Sequence, residues 1–103
     1  MNLSDLTAKM DEFVDAKGWY APDSPKPQTI RNLAVSLTIE AAEVLEHTQW
    51  REVPTNRNEL ADELADVALY LLQLAHIAEI DLESAILAKL ARNHQRQWDE
   101  NND

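Results

Sequence analysis

Glu40-Ala41-Ala42-Glu43 and Glu63-Leu64-Ala65-Asp66 place two pairs of acids inside the two most apolar stretches of a 103-residue chain. Residues three apart share one helix face, so two such pairs on packed helices set four carboxylates around one point. A quartet of that kind repels strongly even at a high effective dielectric. The acids must protonate, pair with bases or bind a metal ion. No Lys or Arg lies between residues 32 and 50 or between 58 and 88, so a basic partner would have to come from outside these helices. The donors are all hard oxygens, with no Cys and no paired His, a set that suits Mg²⁺ or Mn²⁺ rather than zinc or copper. Magnesium held by carboxylates keeps positions for water and substrate phosphate, which points to a phosphoryl substrate.

The flanking residues predict where these acids sit. From Leu64 through Ala75 the polar positions are Asp66, Tyr70 and Gln73, at helical spacing, and the stripe extends back through Glu63 and Glu59. A helix apolar nearly all round is buried, which predicts a buried Asp66. The earlier stretch repeats the pattern, with Ile30, Leu33, Val35, Leu37, Ile39, Val44 and Leu45 leaving a narrow stripe of Ser36, Glu40, Glu43 and His47. His47, a single histidine at the end of that stripe, reads as a hydrogen-bonded neighbour of the acids rather than as a base.

Four helices must position these groups. Leu3, Leu6, Met10, Phe13 and Val14 predict a first helix over about residues 3–17, capped by Asn2 or Ser4 and closed at Gly18 in left-handed geometry. Pro22, Pro25 and Pro27 make residues 20–28 a loop. The second helix is expected from about Thr29 to about Trp50. The third begins at a cap among Thr55, Asn56 and Asn58 and runs to about Glu79. Asp81 caps a fourth that reaches a polar end near Trp98, with residues 99–103 expected as a frayed tail.

Composition narrows the function classes. One domain over 1–103 is expected from the length, and 45% hydrophobic residues with one glycine and no period-2 segment favour an all-α fold. A net charge of −10 argues against nucleic acid and anionic membrane surfaces as partners, since both need clustered Lys and Arg. The absence of cysteine removes disulfides, thiol catalysis and zinc-thiolate sites. With no targeting segment recognised near Met1 and no apolar run of membrane-spanning length, a cytoplasmic location is expected. Two helices apolar on almost every side expose more than one helical hairpin can hide, so the bundle is expected to be completed by oligomerisation, as a homodimer or a homotetramer made of two dimers.

The acidic pattern, Glu-x-x-Glu, nineteen intervening residues, then Glu-x-x-Asp, resembles the metal motif of the MazG-like all-α nucleotide pyrophosphohydrolases, including their dCTP pyrophosphatase branch. The likeness extends in order through Phe13 to Trp19, Arg31 to Ala34, Ile39 to Trp50, Glu63 to Leu72, Ile80 to Leu90 and Asn93, covering roughly residues 13 to 98. It implies a four-helix MazG-like bundle that hydrolyses a (deoxy)nucleoside triphosphate to the monophosphate and pyrophosphate with Mg²⁺ bound, in nucleotide-pool house-cleaning. It further implies Glu40, Glu43, Glu63 and Asp66 as metal ligands, one of them helping to orient or deprotonate the attacking water. Trp19 and Trp50 match positions associated with the nucleobase, where an aromatic face stacks a base; hydrophobic anchoring at helix ends is the other reading of each. Tyr70, one turn beyond Asp66, reaches substrate or satisfies its hydroxyl in the core.

Lys89, Asn93 and Arg96 share one face of the fourth helix, where a third of all Lys and Arg is found between residues 89 and 96. Such a stripe neutralises triphosphate oxygens, or reflects the general preference for bases near a helix C-terminus. Two departures from the dCTP-type pattern fall where base and sugar selection is expected. The connection from Tyr20 to Ile30 is longer, proline-rich and lacks a histidine, and Gln97 followed by Trp98 replaces the usual tyrosine. Two other readings stay open: a non-catalytic helical interaction module, and a hydrolase of the same fold acting on another pyrophosphate-containing compound.

Overall fold

Side-chain caps start all four helices of the computed structural model, which describes residues 1–53 and 56–96. They are α1 (Leu3–Ala16), α2 (Ile30–Glu46), α3 (Arg57–Ile77) and α4 (Leu82–Gln95), and no strand is present among the described residues. Asn2 and Asp5 form a reciprocal capping box on α1, with bonds of 3.1 and 2.9 Å. Thr29 Oγ1 accepts from the Asn32 N–H at 3.1 Å, Asn56 Oδ1 from Asn58 and Glu59, and Asp81 Oδ1 from Ser84. Each cap satisfies an N–H that has no partner within the helix.

The helix ends explain where the expected boundaries shift. Gly18 takes φ +76° after α1, and the Trp19 N–H reaches back to the Val14 carbonyl at 3.3 Å while the Gly18 N–H bonds Asp15 at 2.9 Å. That is a Schellman closure, as the lone glycine predicted, and it pins Trp19. The same closure ends α3 two residues before the expected Glu79, because Glu79 itself adopts φ +58° and the Ile80 N–H bonds the Ala75 carbonyl at 2.8 Å. Helix α2 stops at Glu46, four residues short of Trp50. There the N–H groups of His47 and Thr48 bond three residues back, to Val44 and Leu45, tightening the chain into a turn. The expected fourth-helix end at Trp98 and the tail lie outside the described residues.

Helix α3 is the spine, with α2 packed along it, α1 against it and α4 against α1. The core is small. Met10, Val14 and Leu72 are buried together, with Leu3, Trp19, Tyr20 and Leu82 packed around them. Burial of Met10 and Val14 follows from their i, i+4 spacing.

Much of the apolar surface of α2, α3 and α4 faces outward in the single chain. Val35, Ile39, Leu45, Leu64, Leu87 and Leu90 are all exposed. The radius of gyration, 16.5 Å, exceeds the roughly 13 Å of a compact domain of this size. Asp66, expected to be buried, is exposed; the apolar residues that flank it have too few neighbours within one chain to close over it. No helix among the described residues is long and apolar enough to cross a membrane.

Candidate functional site

Packing of α2 on α3 brings three of the four predicted acids together. Glu40 and Glu43 stand one turn apart on α2 and Glu63 faces them from α3, each half-buried, with one oxygen from each lying within 4.8 Å of the others. Oε2 of Glu40 and Oε2 of Glu63 are shut off from water and meet no donor. Ionised carboxylates are acceptors only, so these groups can bond one another only by sharing a proton.

The electrostatics follow from that crowding. Burial first, then the neighbouring carboxyls of Glu43 and Glu63 and the charge of Asp66, push Glu40 up to about 7. Glu63 is also raised, by burial and then by Glu43 and the charge of Asp66, against a lowering contribution from its bond with Glu40. His47 Nε2 lies 4.0 Å from Glu63 Oε1, an ion pair only when the imidazole is protonated. That separation is too long for a hydrogen bond. His47 therefore sits beside the acids, as its place on the stripe predicted, but without the expected hydrogen bond.

Asp66 is outside the tight trio. It faces an adjoining groove of about 400 Å³ between α1 and α3, whose lining includes Phe13, Trp19, Leu69, Tyr70 and Gln73. Phe13 meets Trp19 edge to face, with ring centroids 5.8 Å apart and planes at 84°. Thus Trp19 and Tyr70, singled out independently in the sequence, share one apolar groove with Asp66. Aromatic rings and the carboxylate of Asp66 in one groove suit a planar ring joined to a metal-bound anion.

The remaining candidates stand elsewhere. Trp50, carried on the turn after α2, is 87% exposed and lines neither the trio nor the groove. Lys89 and Arg96 border a shallow cleft on α4 with Arg92 and Gln95, and Asn93 is half-buried on the same helix. Two further groups escape the sequence reading: Phe13, placed by helical spacing only on α1, lines the groove, and Lys26, whose Nζ lies 5.3 Å from the centre of the Trp19 ring, sits in a loop that no periodicity places.

The hard-oxygen trio, with two sealed oxygens, fits Mg²⁺ or Mn²⁺. Residues 35–103 match the MazG-like family. The chain is similar to dCTP pyrophosphatase 1 of Mus musculus and of Homo sapiens, each 32% identical over 91% of this chain, which spans 58% of the length of those relatives. Its fold is similar to a crystal structure of a pyrophosphatase from Archaeoglobus fulgidus, with a TM-score of 0.76 and 36% identity over 89% of this chain and 88% of that one. By sequence and by fold, the chain belongs to the MazG-like family.

Proposed function

We propose that this protein is a Mg²⁺-dependent nucleoside triphosphate pyrophosphohydrolase, releasing pyrophosphate and a (deoxy)nucleoside monophosphate, with nucleotide-pool house-cleaning as its role. The observation that carries the reading is the trio of Glu40, Glu43 and Glu63, with oxygens inside 4.8 Å and Oε2 of Glu40 and of Glu63 shut off from water without a hydrogen-bond donor. The names of its relatives support the same activity.

Glu40, Glu43 and Glu63 would hold the ion, and Asp66 would complete the set from the groove side. Bound there, Mg²⁺ or Mn²⁺ supplies polarisation of the α-phosphoryl group and a more acidic water. One of the carboxylates takes the proton of the attacking water, the bond from the α-phosphorus to the bridging oxygen breaks, and pyrophosphate leaves. Trp19 and Tyr70 hold the base in the groove. Lys89, Asn93 and Arg96 would meet the triphosphate, and Trp50 the base, from across an interface between copies. The exposed apolar faces of α2 and α4 support such a homodimer, or a tetramer of two dimers.

Product analysis with a nucleotide panel tests the reaction. Monophosphate and pyrophosphate are expected with Mg²⁺ and neither with EDTA. Release of orthophosphate from a triphosphate would mean that a different bond is cut, and no turnover of any nucleotide would favour the interaction-module reading.

A further inference from the structure

Residues 20–29 form a loop whose backbone is held at both polar groups of Lys26. The Lys26 N–H donates to Ser24 Oγ at 3.0 Å, and the Lys26 carbonyl accepts from Gln28 Nε2 at 2.6 Å. Gln28 is anchored in turn, its Oε1 accepting at 2.7 Å from Nε2 of Gln73, a side chain on α3 that is only 4% exposed. Asn32 Nδ2 bonds the Pro27 carbonyl at 2.9 Å, tying the loop to the first turn of α2. Pro25 and Pro27 fix φ on either side of Lys26. The loop is thus a built presentation of one side chain.

That side chain lies over the Trp19 ring. Its ammonium is 5.3 Å from the Trp19 ring centre, within cation–π range, and Trp19 lines the groove together with Tyr70 and Asp66. The acids that would hold a metal-bound triphosphate belong to α2 and α3, so a cation on Trp19 is placed for the base rather than for the phosphates. An ammonium has three donors and no acceptor. It rewards a base edge that carries a carbonyl oxygen.

Resting on the nucleotide reading above, we propose that Lys26 is a specificity-determining residue, its ammonium beside Trp19 donating to a carbonyl oxygen of the base held in the groove. Cytosine, uracil, thymine and guanine carry such an oxygen. Adenine carries none.

The test compares the full-length protein with Lys26→Met, which keeps an unbranched apolar stem against Trp19 and loses the donor, and with Lys26→Arg, which keeps donors. kcat/KM is measured for dCTP, dTTP, dGTP and dATP, with Ki taken for any nucleotide turned over too slowly. Lys26→Met is expected to lose about tenfold on the three carbonyl-bearing substrates, in KM rather than kcat, as befits a charge-assisted bond in a solvated site. dATP should change by less than about twofold, and Lys26→Arg should keep the wild-type ranking. An equal loss on dATP, or no loss on any substrate, overturns the role of Lys26 while leaving the hydrolase reading intact. A wild-type protein that neither turns over nor binds any of the four nucleotides overturns both.

Discussion

The α2–α3 pair and α4 carry clusters of opposite charge and are covered to different degrees. Along α2 and α3, three acids from two helices meet within 4.8 Å, each half-buried. Along α4, Lys89, Arg92 and Arg96 lie on an open surface, and Leu87 and Leu90 are 61% and 58% exposed. One region brings its acids together within a single chain. The other carries its groups on an exposed face of one helix. On the reading proposed above, one helical hairpin would supply the metal ligands, and enclosing a triphosphate would call on the surface of a second copy.

Breaking the α2–α3 cluster should have the largest effect. Glu63→Gln keeps size and hydrogen-bonding capacity but removes the one carboxylate that α3 gives to the trio. Loss of metal-assisted catalysis is expected to lower kcat by about 10³-fold, the equivalent of several kcal/mol of transition-state stabilisation. The same variant separates binding from chemistry. Mg²⁺ at about 100 times its Kd should stabilise the wild type by about 2.7 kcal/mol, read as a rise in melting temperature, and should leave Glu63→Gln unmoved. A variant that keeps both its turnover and its Mg²⁺-dependent rise would remove Glu63 from the site.

The α4 region is probed by charging its apolar face. Leu87→Glu with Leu90→Glu changes two residues that are more than half exposed in one chain, so the fold of the single chain should move little, as for other surface substitutions. Assembly should suffer, weakening by about 10²-fold if these side chains anchor an interface core. Light scattering and circular dichroism together check this, since loss of the oligomer with retained helix content is the expected outcome. An oligomeric state untouched by both changes would take α4 out of the interface. Leu72→Glu is the contrast, because Leu72 is buried within the chain and its charging should unfold the protein outright.

The same contrast separates what the sequence made legible from what it did not. Helix number and starts followed from caps and periodicity, and Gly18 marked its Schellman turn, because these depend on neighbours a few residues away. Glu79 concealed the end of α3, since glutamate carries no preference for positive φ and the closure is imposed by the Ile80 to Ala75 bond. The i, i+3 spacing pointed to Glu40, Glu43 and Glu63 as neighbours. The apolar flanks misled on the burial of Asp66, because an apolar surround in sequence becomes burial only when another surface arrives. The placing of Lys26 on Trp19 was beyond reach, as it depends on a loop fold fixed by the contact between Gln28 and Gln73, 45 residues apart.

The smallest expected effect sharpens the account of why the acid trio is strained without a cation. Glu40 is held at about 7 in the folded protein against an ordinary 4.5, so between those values the folded state binds more protons than the unfolded one. Stability therefore falls as pH rises, its contribution complete below 4.5 and lost as pH passes about 7. Glu63, also raised, acts in the same direction. In EDTA the wild type is expected to melt a few degrees lower at pH 8 than at pH 5. Because the whole chain is acidic, the informative quantity is the difference from Glu40→Gln, which should lose part of that slope and melt above the wild type at pH 8, whereas Glu59→Gln, an exposed acid on α3 outside the trio, should retain it. Adding Mg²⁺ should flatten the wild-type slope, since the ion takes the place of the shared proton and is itself bound more tightly as the acids ionise. Equal slopes in wild type and Glu40→Gln would mean that the trio stores no repulsion, and that the α2–α3 site is no more poised for a cation than the rest of the acidic surface.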